Sequence, residues 1–371
     1  MKFSFSDIIH FVCIFQLLVF VSFLLRRKTG RPSNRFLAVF LLAQVAIIGN
    51  SLVYRFSDFF YNYFPHMFHL GVTFVLLAAP SFYFYVRSTA YSDFRLRKTD
   101  LLHLLPFVVV TLYYGFAFHF HSGTMKRALL IGNPYLATWA WIAFNVITFS
   151  QLFVYNIAGI RVLKQYRAAI REEYSSVQNI NLSWLNLVLY AFLVAWLTSV
   201  AAFVARFFTP VNDELIGTLN LTAFFIFFNI IFYKALMQPE IFSGVEEKQK
   251  YQSSKLTAAE ADSYLAALQS HMEEKKPYLN PTISLRDLAG QLSIPPRHLS
   301  QIINDRLHQN FYDFISRYRV EEAKRILSDP GKDKTVLEVL FEVGFNSKSS
   351  FNTAFKKFTN VTPSEYKESA N

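Results

Sequence analysis

Two short stretches near the C-terminus carry polar side chains, at helical spacing, that suit the edges and phosphates of a nucleic acid. In the first, Arg297, Ser300, Gln301 and Asn304 fall off the apolar stripe of Leu299, Ile302 and Ile303. In the second, Ser347, Lys348, Ser349, Asn352, Thr353, Lys356 and Lys357 fall off the stripe of Phe351 and Phe355. Gln and Asn amides can pair with adenine edges, and Arg with guanine or a phosphate. Lys356 and Lys357 suit phosphates, which position a duplex without specifying its sequence.

Such side chains need elements to hold them, and an internal repeat supplies these. Leu288-Ala-Gly-Gln-Leu-Ser-Ile294 recurs 51 residues on as Val339-Leu-Phe-Glu-Val-Gly-Phe345. Each copy predicts a short helix, a tight turn and a second helix, over Pro296–Arg306 and Ser347–Phe358. Gly344 would supply the positive φ at the second turn. A longer helix, Phe311–Leu327, joins the copies, with Phe311, Phe314, Ile315, Tyr318 and Ile326 facing inward. Asp329-Pro330-Gly331 breaks it, and Thr362-Pro-Ser-Glu365 reads as a capping box that opens a closing helix.

With these elements in place, Leu279–Lys367 resembles the AraC-type transcription regulators. The segments that carry the resemblance are Asn310–Leu327, Glu342–Lys357 and Thr362–Lys367. It implies a tandem helix-turn-helix domain over 279–371, with double-stranded DNA as partner. The chain departs from the family's pattern in four places. Ser293 stands where the family tends to have Gly at the first turn. His308 replaces the Gly after the first recognition helix, and Leu340 replaces an Ala. Thr353 replaces an Arg, which lowers the expectation of an Arg–guanine contact by the second unit. Residues 279–371 hold 13 basic and 11 acidic side chains. So low a net charge implies modest, salt-sensitive DNA binding by a lone domain.

The rest of the chain has a different solvent. Of 371 residues 53% are hydrophobic and 17% charged, and 41 are Phe. Soluble globular domains carry about 25% charged residues, so a bilayer is the expected surroundings for much of this chain. Seven apolar stretches are long enough to span, at roughly 8–25, 36–54, 67–86, 101–118, 136–160, 184–205 and 215–236. Pro80 and Pro106, inside the third and fourth, are expected to kink them. The basic residues in the six intervening loops number 5, 1, 4, 2, 4 and 1. By the positive-inside rule the odd loops are cytoplasmic. The N-terminus is then outside, and the C-terminal 135 residues lie in the cytoplasm of a cell whose inner membrane holds the bundle. The first stretch reads as a retained helix, because only Lys2 precedes it and no small-residue cleavage site follows. The net charge of +11 belongs to residues 1–236, with 19 basic against 8 acidic side chains; the remainder has 18 of each.

Catalytic constellations are not found. The one cysteine, Cys13, rules out a disulfide within the chain and a Cys-based zinc site. The apolar half has no HExxH, no Gly-rich phosphate loop and no mid-span Lys; Lys234 lies near an inner end, where it can snorkel. His10, His66, His69, His119 and His121 fall near the outer face, and His66 and His69 share a helix side. Metal binding or proton sensing is open to them, but none of their spacings is a specific ligand motif, so packed histidines without a role are the simpler reading. No catalytic residue, metal or cofactor is expected, and the chain is not expected to be an enzyme.

The expected architecture is all-α: a seven-helix transmembrane bundle over 1–236, a linker and amphipathic coupling helix over 237–278, and a cytoplasmic tandem helix-turn-helix domain over 279–371. Thr257-Ala-Ala-Glu260 caps the coupling helix, whose stripe is Ala261, Tyr264, Leu265, Leu268 and Met272. This describes a one-component regulator, whose bundle senses an unknown small molecule, lipid or envelope condition. Its partners would be DNA, the lipid bilayer and, as one candidate switch, a second copy of the chain. The alternative is a receptor or transporter-like module whose cytoplasmic domain binds a protein. The charge alternation generates a test. A reporter active only in the cytoplasm should work when fused after Leu236 and be silent after Ser122; the opposite pattern would invert the bundle.

Overall fold

The computed structural model describes residues 4–26, 32–132, 139–178, 180–208, 213–237, 256–329, 331 and 334–370. The expected polar linker Glu246–Ser254 and Pro330 lie outside these residues. The fold is all-α, without named strands among the described residues; Tyr174 and Ser284 form an isolated antiparallel bridge. Contacts divide the chain into two units. The first is Met1–Lys164 with Leu182–Glu247, and the second is Gln165–Asn181 with Lys248–Asn371.

The first unit contains α1 (Phe5–Arg26), α2 (Pro32–Arg55), α3 (Ser57–Tyr63), α4 (Val75–Ala90), α5 (Leu105–Tyr114) and α6 (Gly123–Gly132). It continues with most of α7 (Trp139–Glu173), then α8 (Ser183–Ala205) and α9 (Asp213–Met237). Among the described residues six segments are long and apolar enough to cross a membrane: Ser6–Arg26, Pro32–Arg55, Pro65–Ala90, Lys98–His119, Trp139–Glu173 and Ser183–Ala205. At the seventh expected position the apolar stretch Gly217–Tyr233 is shorter. Pro80 does lie inside α4. Pro106 instead stands in the first turn of α5, after the 3₁₀ stretch Lys98–Leu104, where its missing N–H breaks no helical bond. The buried faces are rich in small residues, such as Ala38 and Ala43 on α2 and Ala78 and Ala79 on α4. These permit close helix approach without a hydrophobic drive between helices. Much of the outward surface is also apolar: Phe15 and Phe116 are each 70% exposed and Val194 is 60% exposed.

Two of the histidines expected at the outer face, His66 and His119, meet at Lys126, whose Nζ donates to His119 O at 2.7 Å. His10 Nδ1 lies 2.7 Å from Ser6 O, His66 Nδ1 2.7 Å from Lys126 Nζ, and His69 Nδ1 2.8 Å from Tyr54 Oη. Among the described residues no three His, Cys, Asp or Glu side chains gather into a metal-holding group.

The second unit contains α10 (Ala258–Lys275), α11 (Leu285–Leu292), α12 (Pro296–Asp305), α13 (Phe311–Leu327), α14 (Val336–Glu342), α15 (Lys348–Thr359) and α16 (Pro363–Ala370). Its helix starts are set locally. Thr257 with Glu260, Ser284 with Asp287 and Thr335 with Glu338 form reciprocal capping boxes, and the Thr362 N–H donates to Glu365 at 2.6 Å. Two cores follow. The first gathers Leu268 and Met272 of α10, Leu288 of α11, Leu299 and Ile303 of α12, and Phe311, Phe314 and Ile315 of α13. The second gathers Val320, Ala323 and Ile326 of α13, Val339 and Leu340 of α14, and Phe351 and Phe355 of α15. The helix read as a coupling element is thus built into the first core through Leu268 and Met272.

Candidate nucleic-acid interface

The two copies of the repeat fold the same way. In each, a short helix ends in a left-handed residue, Ser293 at φ 55° or Gly344 at φ 90°. The next N–H then reaches back five residues, from Ile294 to Ala289 O and from Phe345 to Leu340 O, at 3.0 Å in both. This closes the turn and launches the second helix, α12 or α15. Pro296 pre-sets the first turn of α12, and the Ser347 hydroxyl accepts from the Ser350 N–H at the start of α15. His308, also left-handed at φ 52°, makes the bend after α12. Ser293 and His308 therefore hold conformations that glycine takes at no steric cost, and each carries a strain of about 1 kcal/mol.

The structure places the expected side chains as follows. Arg297, Lys348, Ser349, Thr353, Lys356 and Lys357 are exposed; Ser300, Gln301, Asn304, Ser347 and Asn352 are half-buried. Some are engaged within the unit. The Thr353 hydroxyl donates to Ser349 O at 2.8 Å, along its own helix. Lys357 Nζ lies 2.7 Å from Asp313 Oδ2. Asn304 Nδ2 donates to Ser300 Oγ at 3.3 Å and to Glu172 Oε2 at 3.0 Å. Ser347 Oγ accepts from Gln178 Nε2.

The joint between the two helix-turn-helix copies was not visible in the apolar pattern. Arg319, midway along α13, is 1% exposed and falls between the residues that α13 gives to each core. Its Nε donates to Tyr278 O at 2.7 Å, and Nη2 to Asn280 O at 2.8 Å. Nη1 and Nη2 reach Ser175 O and Ser175 Oγ, both at 3.3 Å. The guanidinium also lies 5.5 Å from the Phe345 ring centre. Burial pulls its pKa down to about 10, partly countered by the Tyr312 hydroxyl nearby, so it stays a cation at neutral pH. Ser175 is itself 2% exposed, and its hydroxyl donates to Ile283 O at 2.6 Å. Gln165–Asn181 is thereby part of this unit, though nothing in its sequence announces it.

A family model and several relatives match this same region in sequence. The family model described as a helix-turn-helix domain matches residues 288–369. The C-terminal region is an AraC-type helix-turn-helix domain. An HTH-type transcriptional regulator of Staphylococcus aureus strain COL is 31% identical over 90 residues, 24% of this chain and 12% of its own. The transcriptional regulatory protein YesN of Bacillus subtilis is 31% identical over 90 residues, 24% of each chain. A regulator encoded in the cgkA 5′ region of Pseudoalteromonas carrageenovora is 32% identical over 85 residues, 23% of this chain and 49% of its own. The likeness thus spans less than half of each relative. Among solved structures, the C-terminal domain of AraT, a response regulator from Geobacillus stearothermophilus, is 26% identical. It covers 31% of this chain and 88% of its own, with a TM-score of 0.25.

The Arg319 joint generates a stability prediction for the AraC-type domain. A Cβ built on Gly344 would lie 2.8 Å from both Tyr278 O and Leu279 O, and 3.1 Å from Arg319 Nε. Gly344→Ala should therefore cost roughly 2–3 kcal/mol, from the left-handed backbone and from overlap with carbonyls that cannot retreat. Gly290→Ala, with nothing within 4 Å, should be neutral or stabilise by up to about 1 kcal/mol, since it replaces a helical glycine. Thermal unfolding of the two full-length variants in detergent checks both; equal effects would refute the joint.

Proposed function

We propose that this chain is a membrane-embedded one-component transcriptional regulator. Its helix-turn-helix domain binds specific DNA sequences, and the apolar helices anchor it in the bilayer and sense a signal there. The observation that carries the DNA reading is the pair of matched helix–turn–helix copies on one shared helix, with α12 and α15 each presenting a polar face. The relatives, named as transcriptional regulators over this same region, support it. The membrane reading is supported by the six long apolar helices and by aromatic and aliphatic side chains that remain largely exposed on them. With the basic loops inside, the AraC-type domain faces the cytoplasm, where DNA is.

In this reading Arg297, Ser300, Gln301 and Asn304 of α12 enter one major groove. Ser347, at the start of α15, with Lys348, Ser349 and Asn352 approaches the next. Lys356 holds phosphate. Thr353 and Lys357 contribute less, because the first is tied to its own helix and the second to Asp313. Those two engagements, with the domain's low net charge, favour the competing reading of a protein-binding domain, and DNA-binding measurements separate the two. Gln301→Ala should weaken binding at particular base pairs by about 1–3 kcal/mol. Lys356→Ala should weaken all sequences alike and lower the salt slope by about 1. Full-length protein without sequence preference at any salt concentration would remove direct readout.

A further inference from the structure

The face proposed for DNA already has an occupant from the same unit. Residues 172–178 touch both second helices of the helix-turn-helix copies. Glu172 accepts from Asn304 of α12 at 3.0 Å, and Gln178 donates to Ser347, the residue that caps α15. Asn346, one residue earlier, donates to Ser176 Oγ at 3.1 Å. Glu173 Oε1 lies 3.2 Å from Arg286 Nε on the first turn of α11. Two carboxylates thus sit on an amide and a guanidinium, donor types that proteins present to phosphates. Between these arms Ser175 is held firmly, bonded to Ile283 O and Arg319. Beside it Tyr174 is bridged to Ser284 through the backbone, while the outer side chains, Glu172, Glu173 and Gln178, are held by part-exposed polar contacts, each weak enough to exchange.

We propose that Glu172–Gln178 is an acidic latch, hinged at Ser175, that competes with duplex DNA for α12 and the start of α15. It rests on the DNA-binding reading above. The chain enters the latch from α7 and leaves it into α8, both apolar helices, so a signal received there has a covalent route to the DNA face. The test is anisotropy of a labelled 40-base-pair random-sequence duplex with full-length protein in detergent. Glu172→Gln combined with Gln178→Ala should tighten binding at least tenfold. Glu368→Gln removes one exposed carboxylate from the same unit and should change it less than twofold. A double variant that binds no tighter than Glu368→Gln, or that loses binding, overturns the latch. If the unmodified chain and both variants all fail to bind duplex at any salt, the DNA reading itself fails and the latch with it.

A second site lies within the first unit. A cavity of about 290 Å³ opens between α2, α4, α7, α8 and α9, at the small end of ligand-site volumes. Its walls include Phe82, Phe192 and Trp196, and among the polar side chains that line it are Thr148 and Asn156 of α7. They are 7% and 9% exposed, and Thr148 Oγ1 and Asn156 Oδ1 have no hydrogen-bond partner among the described residues. They stand eight residues apart, about 12 Å along the helix, so one hydroxyl serves one of them; a buried polar atom left unpaired is costly, so a ligand that supplies a donor at either is favoured. We infer that this cavity binds a small apolar molecule carrying a hydroxyl group. The inference rests on the sensor reading of the bundle, yet its test reads binding on the protein itself, apart from any transcriptional output. The probe is a ten-carbon alcohol bearing a photoreactive diazirine, applied to the full chain in lipid nanodiscs. It should label peptides of α4, α7 or α8, and 1-decanol should compete while decane should not. Thr148→Val with Asn156→Leu should cut labelling at least tenfold, as should the filling variant Ala195→Phe. Labelling that both variants leave intact, or that decane blocks equally, marks an ordinary lipid-filled gap and overturns the inference.

Discussion

A buried guanidinium must find several acceptors at once, and Arg319, with no carboxylate partner among the described residues, draws them from three stretches far apart in sequence. Tyr278 and Asn280 come from the lead-in to the first helix-turn-helix, Ser175 from the α7–α8 connection, and the ring of Phe345 from the second turn. Left unpaired, such a charge would cost several kcal/mol. The arrangement is therefore all or nothing: α13, the lead-in and the connection hold their mutual positions or the cation is stranded. Gly344 is the steric counterpart of this demand, since any side chain there would strike the carbonyls of Tyr278 and Leu279. The relative setting of α12 and α15, on which the proposed reading of two adjacent grooves depends, follows from this one cluster.

What could be read from residues alone was what is decided locally. The capping pairs, the apolar stripes of α12, α13 and α15, and the turn before α15 depend on neighbours within a few positions, and they form where the pattern puts them. The 51-residue repeat carried over even to the two matching turn hydrogen bonds. Arg319 is not legible in the sequence because an Arg amid inward residues is by default a solvated side chain, and three of its four acceptors are backbone carbonyls that carry no residue signature. The engagement of Asn304 and Ser347 was missed for a related reason. Glu172 and Gln178 lie 132 and 169 positions away from them, in a stretch whose charges read as topology. Pro106 lies inside its expected span, where the 3₁₀ stretch Lys98–Leu104 gives way to α5 at Leu105.

These features bear on the modest charge of the AraC-type domain. With a small net positive charge, Glu172 against its polar face and Glu173 on Arg286 of α11, it gains little from nonspecific attraction to phosphates. In the proposed account that weakness is useful. A domain anchored to a membrane binds well only when its polar face is cleared, so occupancy of DNA can follow the state of the apolar helices instead of the amount of protein.

If the chain is anchored in the membrane and itself contacts promoter DNA, the two can be recovered together. Crosslinking in living cells, followed by recovery of the intact protein from the membrane fraction and sequencing of the DNA it carries, should yield a small set of enriched sites sharing one sequence pattern, lost when Gln301 and Asn304 are both replaced by alanine. Recovery from the membrane with no enriched DNA, but with a protein crosslinked to the helix-turn-helix domain, would contradict that contact.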